Sequence, residues 1–277
     1  MIIRHDVEPQ RYVASPEQFA AVVMVANHLE EVFIGYDTID QLLKPQLLPA
    51  VKAEPEFMLC ADGMGCLIRP DWILTAANIA AELPERHEIE VGDVKYGVQK
   101  VVLHPNYARS EDDARSEDDA RSEDILQVRN DIALIQLARA VDAVVPLALY
   151  SQQNELGQVV TLVGRGDYGN GLIGPDQADG KLRKATNRVE KVSEKRLMFE
   201  FDAPPECSAL EGVCGPGDRG GPALLKVENR WAIAGISSGQ EVVNNSALAP
   251  VGEGRYGVWE YYTRVSYYLE WIESVVD

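Results

Sequence analysis

Gly-Pro-Gly-Asp-Arg-Gly-Gly-Pro, residues 215–222, is the most informative stretch of this sequence. Glycine has no Cβ, so it lets a backbone turn tightly and lets other groups approach its N–H closely. Glycines on both sides of Asp218 and Arg219 therefore predict a tight loop.

Two further stretches precede this loop. Residues 71–78 read Asp-Trp-Ile-Leu-Thr-Ala-Ala-Asn, an apolar run that ends at Asn78. Residues 130–137 read Asn-Asp-Ile-Ala-Leu-Ile-Gln-Leu, an apolar run that follows Asp131. The order along the chain is therefore Asn78, Asp131, Arg219.

In this order and context the three stretches resemble the catalytic blocks of trypsin-like (chymotrypsin-fold) serine proteases. The resemblance puts Asp131 in the place of the orienting aspartate, Asn78 in the place of the histidine and Arg219 in the place of the serine. An amide neither accepts nor relays a proton at neutral pH, and a guanidinium cannot attack a carbonyl. The resemblance thus implies a degenerate triad, with an oxyanion loop formed by Gly217, Asp218 and Arg219.

The resemblance extends over nearly the whole chain. It includes Ile2–Asp6, similar to the mature amino terminus of bacterial members, and further strands and turns at Val101–Tyr107, Gly164–Asp167, Trp231–Gly239 and Tyr261–Ile272. It implies an all-β fold of two six-stranded antiparallel barrels and a C-terminal helix from about Ser266 to Val275. One domain, 1–277, would comprise barrels at about 1–145 and 146–277, with insertions at 27–56 and 108–124. The substrate cleft would be lined by Ser237, Ser238 and Gly239.

Composition supports part of this expectation independently. Short β-branched and aromatic runs between Gly, Pro and Asp clusters indicate mainly β structure, as at Val98–Leu103, Val159–Val163 and Leu197–Phe201. The formal net charge is −18, from 44 acidic and 26 basic side chains, which disfavours nucleic acid and anionic membranes as partners. No run approaches the roughly twenty apolar residues that a membrane span needs. No secretory leader begins at Met1, yet the chain begins where mature relatives begin, so the resemblance implies a secreted or periplasmic protein.

The four cysteines lie in two close pairs, Cys60 with Cys66 and Cys207 with Cys214. The spacing permits two local disulfides, but four cysteines allow three pairings and the sequence does not choose. Metal binding is the alternative, although no histidine or carboxylate has recognisable ligand spacing. We expect neither a metal nor a cofactor.

The two insertions differ in composition. Within 27–56, Thr38 and Gln41 fit a helix capping box before an apolar segment, which predicts packing on the first barrel or on a partner. Residues 108–124 contain repeated Ala-Arg-Ser-Glu-Asp-Asp units with no large apolar side chain, which predicts a mobile surface loop.

These observations favour a non-catalytic protease homologue, a pseudoprotease, that binds or scaffolds a protein or peptide partner. The alternative is a hydrolase with altered chemistry, for which Ser208, Ser237 and Ser238 are the candidate hydroxyls; an inhibitor or decoy role is a third. The sequence leaves open whether Asp218 pairs with a terminal amine or with loop amides. It also leaves open whether Glu211, Gly212 or Val213 lines a specificity pocket. We expect the Arg219 guanidinium to bond to Asp131 beside Asn78, whose amide could also donate to that carboxylate.

Overall fold

The computed structural model describes residues 1–26, 62–109, 128–242 and 253–277. The helix start expected at Thr38 and Gln41 and most of the acidic repeat lie outside these ranges. Within them, no helix has the length and apolar character needed to cross a membrane.

The strands, in chain order, are β1 (Ile2–Ile3), β2 (Val22–Ala26), β3 (Gly63–Arg69), β4 (Trp72–Thr75), β5 (Glu88–Val91), β6 (Val94–Leu103), β7 (Ala108–Arg109), β8 (Val128–Arg129), β9 (Ala133–Leu137), β10 (Ala148–Leu149), β11 (Val159–Gly164), β12 (Tyr168–Asn170), β13 (Gly174–Gln177), β14 (Arg183–Arg188), β15 (Lys191–Val192), β16 (Arg196–Glu200), β17 (Gly212–Val213), β18 (Pro222–Val227), β19 (Arg230–Val242) and β20 (Val258–Arg264). The helices are α1 (Ala77–Ala80) and α2 (Leu269–Val276), with 3-10 turns at Pro9–Tyr12, Pro16–Phe19 and Val265–Tyr267.

Two barrel-like antiparallel sheets dominate the molecule, as the sequence predicted. The first has six strands in the order β2-β3-β4-β9-β6-β5. The second departs from the expected six: it has eight strands, in the order β14-β11-β18-β19-β20-β16-β15, with β10 added in parallel to β19.

A smaller sheet ties the amino terminus to the second half of the chain. Strand β1 lies parallel to β12 and antiparallel to β17, within the order β13-β12-β1-β17. Met1, Ile2 and Ile3 are buried to 98% or more. The first residues therefore pack against the segment that leads into the loop at 215–222.

One apolar core crosses the boundary between the two sheets. Ile73, Leu134 and Ile135 of the first sheet belong to the same buried cluster as Ile233 and Ile236 of the second. The C-terminal helix α2 joins this cluster through Ile272, and it follows a 3-10 turn close to where the sequence predicted it. The shared core fixes the ends of β4, β9 and β19 near one another.

Candidate functional site

The loop at 215–222 has the tight conformation that its glycines predict. Gly217 and Gly220 have φ angles of 84° and 80°, values that side chains with a Cβ rarely adopt. A Cβ on Gly220 would lie 2.2 Å from the backbone oxygen of Met64, so packing as well as conformation requires glycine there.

Asp218 anchors this loop from within. Its carboxylate is fully buried and forms an ion pair of 2.5 Å with the α-amine of Met1, which also donates to the Asp167 carbonyl at 2.5 Å. The same carboxylate accepts N–H groups from Gly166 and Gly215, at 2.7 and 3.0 Å. Asp218 thus pairs both with a terminal amine and with backbone amides, the two possibilities that the sequence left open. The amine in this pair is that of Met1.

Asp131 and Asn78 lie together where β4 ends and β9 begins, in the middle of the first sheet. Asp131 directly precedes Ile132 and β9, and its side chain is buried. Its Oδ1 accepts the backbone N–H of Asn78 at 2.8 Å, and its Oδ2 accepts the hydroxyl of Ser238 at 2.7 Å. Burial raises the pKa of this carboxyl, although these donors and the charge of Arg219 oppose the increase.

The Asn78 side chain does not donate to Asp131, although its amide was expected to be able to do so. It is only 4% exposed, and its Oδ1 has no hydrogen-bond partner in the described part of the chain. The bond to Asp131 comes from the backbone of Asn78 and not from the amide side chain. A buried amide oxygen without a donor is uncommon and costs free energy unless water or a ligand satisfies it.

The predicted bond between Arg219 and Asp131 is wrong. The Arg219 residue is exposed, and across residues 1–26, 62–109, 128–242 and 253–277 its guanidinium makes no hydrogen bond or ion pair. Asp131 is already satisfied by nearer donors, and desolvating a guanidinium to reach it would be costly. The two residues interact only through the longer-range effect of the arginine charge on the pKa of Asp131.

Strand β19 links these parts into one site. Ser237 exchanges backbone hydrogen bonds with the loop, donating to Gly221 and accepting from Gly220, both at 2.9 Å. The next residue, Ser238, holds Asp131. The structure therefore brings together the predicted site residues Asn78, Asp131, Gly217, Asp218, Arg219, Ser237 and Ser238. Gly239 is the next residue on β19 and pairs with Tyr261 of β20. Ser208 lies elsewhere: its backbone N–H and hydroxyl face Glu211 and Thr186.

Comparison with known proteins agrees with this arrangement. Residues 57–272 match the family model described as Trypsin. The chain belongs to the trypsin family. Similar proteins include vitamin K-dependent protein C of Oryctolagus cuniculus, 26% identical over 248 residues, and tryptase of Mus musculus, 26% identical over 245 residues. Each match covers 76% of this chain; it spans 46% of the protein C sequence and 77% of the tryptase sequence.

The sequence analysis missed a polar pair beside the loop, formed by half-buried Gln240 and buried Glu260. Gln240 donates its amide to the Cys214 carbonyl at 2.8 Å and to Glu260, while its Oε1 accepts the N–H of Gly254 at 2.9 Å. Glu260 is fully buried, and burial raises its pKa to about 8. The pair lies across the β19–β20 register and ties these strands to Cys214 and Gly254. Its signal in the sequence was a glutamate inside the apolar strand β20.

The residues considered for a specificity pocket have structural roles. The Glu211 carboxylate accepts the N–H groups of Asp202 and Ser208, at 2.8 and 2.5 Å. Gly212 and Val213 form β17 and pair with β1. None of the three presents a free side chain to a ligand in this geometry.

The local disulfide considered for Cys207 and Cys214 is not formed, since both are free thiols. The Cys214 side chain points into the core, with its Sγ 2.8 Å from the Tyr262 hydroxyl, so it is directed away from a partner on the surface. Cys66 is also free and buried, and burial raises the pKa of both buried thiols. Cys60 lies outside the described residues.

The histidines and metal ligands offer no second centre in the part of the chain that the structure describes. His5 contacts the Tyr256 hydroxyl, His87 contacts the Val25 carbonyl, and His104 packs on Tyr268. No group of histidine, cysteine and carboxylate side chains within these ranges has a geometry that could hold a metal ion.

Proposed function

We propose that this trypsin-family chain is a pseudoprotease, a protein that uses an inherited cleft to bind or scaffold a partner without hydrolysing it. The observation that carries the proposal is the identity of the two residues around Asp131. The buried Asn78 has no proton-transfer chemistry, and the exposed Arg219 has no nucleophilic atom.

The contacts of Asp131 support this function. In the family's chemistry the aspartate orients an imidazole that takes the proton of the serine. Here the carboxylate accepts hydrogen bonds from the Asn78 N–H and the Ser238 hydroxyl, and the described histidines make their contacts elsewhere. Asp131 thus acts as a structural acceptor that joins the first sheet to β19.

The partner we propose is a protein or peptide. The chain's −18 charge argues against nucleic acid. The family resemblance supports a bacterial-type protein that is secreted or periplasmic. Disulfides do not add support for this location, since the described cysteines are free. Acting as a decoy or inhibitor of an active relative is one form that such binding would take.

An altered serine hydrolase is the second candidate, and one contact favours it. Ser238 places its hydroxyl 2.7 Å from the Asp131 carboxylate, a pairing of hydroxyl with proton acceptor. Against it, Ser238 is only 9% exposed, which restricts access of a substrate carbonyl to its Oγ.

Restoring the missing groups tests the proposal. We expect the unmodified protein to be unlabelled by a fluorophosphonate probe and to leave peptide and ester substrates intact. The double variant Asn78→His, Arg219→Ser should react with the probe at least about a hundredfold faster than either single variant, because base and nucleophile act as a unit. Adding Asp131→Asn to the double variant is the matched control and should remove most of the gain.

Labelling of the unmodified protein that survives repurification would contradict the proposal. If Ser238→Ala then abolished that labelling, the altered-hydrolase candidate would replace it.

A further inference from the structure

The first barrel has a seam where the two ends of its sheet lie side by side. Strands β2 and β5 are these ends, and among the described residues no backbone ladder joins one to the other. A side-chain contact bridges them instead, where the His87 ring bonds to the Val25 carbonyl. Beside this contact β2, β5 and the 3-10 turn Pro16–Phe19 line a groove of about 630 Å³, the seam groove. Its described lining includes neither Asp131 nor the loop at 215–222.

The floor of the seam groove is closed. Phe19, Val22, Val23 and Val25 line it, and each is no more than 4% exposed. The groove therefore does not open into the core, and a ligand has to lie along its rims. Such a shape suits an extended chain better than a small molecule enclosed in a pocket.

Two carboxylates stand at strand spacing on one rim. Glu88 and Glu90 of β5 are exposed, whereas Ile89 and Val91 between and after them are buried. Alternate residues of a strand point to the same face and lie about 7 Å apart. Within the described ranges the carboxylates of Glu88 and Glu90 form no hydrogen bond or ion pair.

The seam groove is negative when all its charged residues are counted. Its carboxylates are Glu17, Glu88, Glu90 and Asp93, and its basic residues are Lys95, Arg165 and His87. Lys95 lies opposite Glu90 in the β5–β6 register, and Arg165 donates to the Gly180 carbonyl. With the histidine neutral, four carboxylates outweigh two cations.

We propose that the seam groove binds an extended basic segment of a partner protein, with lysine or arginine at positions i and i+2 against Glu88 and Glu90. The side chains of an extended segment repeat on one face at the same spacing as these two carboxylates. A second copy of the chain is a poor occupant, because its net charge of −18 would repel this surface. The seam groove is separate from the inherited cleft, so the inference goes beyond the proposed function and does not depend on the loss of catalysis.

Three fluorescein-labelled hexapeptides test the proposal by fluorescence anisotropy with the full chain. In the first, lysine alternates with threonine; in the second, three lysines precede three threonines; in the third, glutamate replaces each lysine of the first. We expect the alternating peptide to bind about tenfold more tightly than the block peptide of the same composition, because only alternation matches the spacing of both carboxylates. The glutamate peptide should not bind, and added salt should weaken the binding of the alternating peptide.

Glu88→Gln combined with Glu90→Gln should remove the preference for the alternating peptide. Glu270→Gln combined with Glu273→Gln, which removes the same charge from exposed positions on α2, is the matched control and should leave it intact. Equal affinity for the two lysine peptides, a preference that survives Glu88→Gln with Glu90→Gln, binding of the glutamate peptide, or binding of no peptide would each overturn the proposal.

Other occupants of the seam groove give different results. Sedimentation velocity detects a second copy: a dimer that Glu88→Gln with Glu90→Gln dissociates would overturn the choice of a basic partner. Peptide binding that appears only after removal of the insertion at 27–56 would assign the groove to that insertion and overturn the choice as well.

Discussion

Asp218 and Arg219 are neighbours in the chain and have opposite environments. The Asp218 side chain is fully buried, paired with the Met1 amine and bonded to the N–H groups of Gly166 and Gly215. The Arg219 side chain is exposed and makes no hydrogen bond or ion pair within the described ranges. The fold therefore fixes the position of the Asp218 side chain, whereas no hydrogen bond or ion pair within the described ranges fixes that of Arg219.

This difference explains how the loop keeps its shape independently of the side chain at position 219. A Cβ on Gly166 would lie 2.1 Å from the Pro216 oxygen, so backbones pack closely on both sides of the loop. These contacts and the Asp218 ion pair stabilise the folded chain whatever side chain stands at 219. The stability of the loop therefore depends on these contacts and not on the side chain at position 219.

The largest effect on stability is expected when the buried charge of Asp218 is removed. Asp218→Asn leaves the Met1 ammonium buried without its counter-ion, and we expect a loss of about 3–5 kcal/mol in the free energy of unfolding. Urea unfolding measures it. Asp6→Asn, which removes an exposed ion pair with Arg4, is the matched control and should cause a much smaller loss. Equal losses for the two variants would mean that the Asp218 pair does not hold the loop.

The sequence predicted the frame far better than the side-chain directions. Glycine spacing indicated the loop and apolar runs indicated β4 and β9, because these patterns act locally on the backbone. Spacing says nothing about where a long or mobile side chain points. The direction of Arg219 and the separation of Cys207 from Cys214 depend on packing between distant segments, and the sequence could not supply them.

Glu260 offers the next test, because it is a polar group that the fold buries beside the loop. Its pKa rises from 4.5 to about 8. Below pH 4.5 both folded and unfolded chains carry the proton; between pH 4.5 and 8 the unfolded chain releases it and the folded chain keeps it. Glu260 therefore lowers the free energy of unfolding as pH rises through that window, by about 1.4 kcal/mol per pH unit.

Glu260→Gln should remove this dependence. Between pH 5 and pH 7.5 the variant should lose about 3 kcal/mol less stability than the unmodified chain, as judged by urea unfolding at each pH. Glu273→Gln, on the exposed side of α2, is the control and should follow the unmodified chain. Parallel stability curves for Glu260→Gln and the unmodified protein would show that Glu260 ionises normally in the fold.

Arg219 itself should give the smallest effect. Because its exposed side chain makes no hydrogen bond or ion pair within the described residues, Arg219→Ala should change the free energy of unfolding by less than about 0.5 kcal/mol. A double-mutant cycle of Arg219→Ala with Asp131→Asn should show no coupling beyond error. The matching cycle of Ser238→Ala with Asp131→Asn should show coupling of about 1–3 kcal/mol, since that hydroxyl donates directly to the carboxylate. Coupling of Arg219 to Asp131 as large as that of Ser238 would place the guanidinium on the carboxylate in solution. The contrast between the buried Asp218 and the exposed Arg219 would then no longer hold.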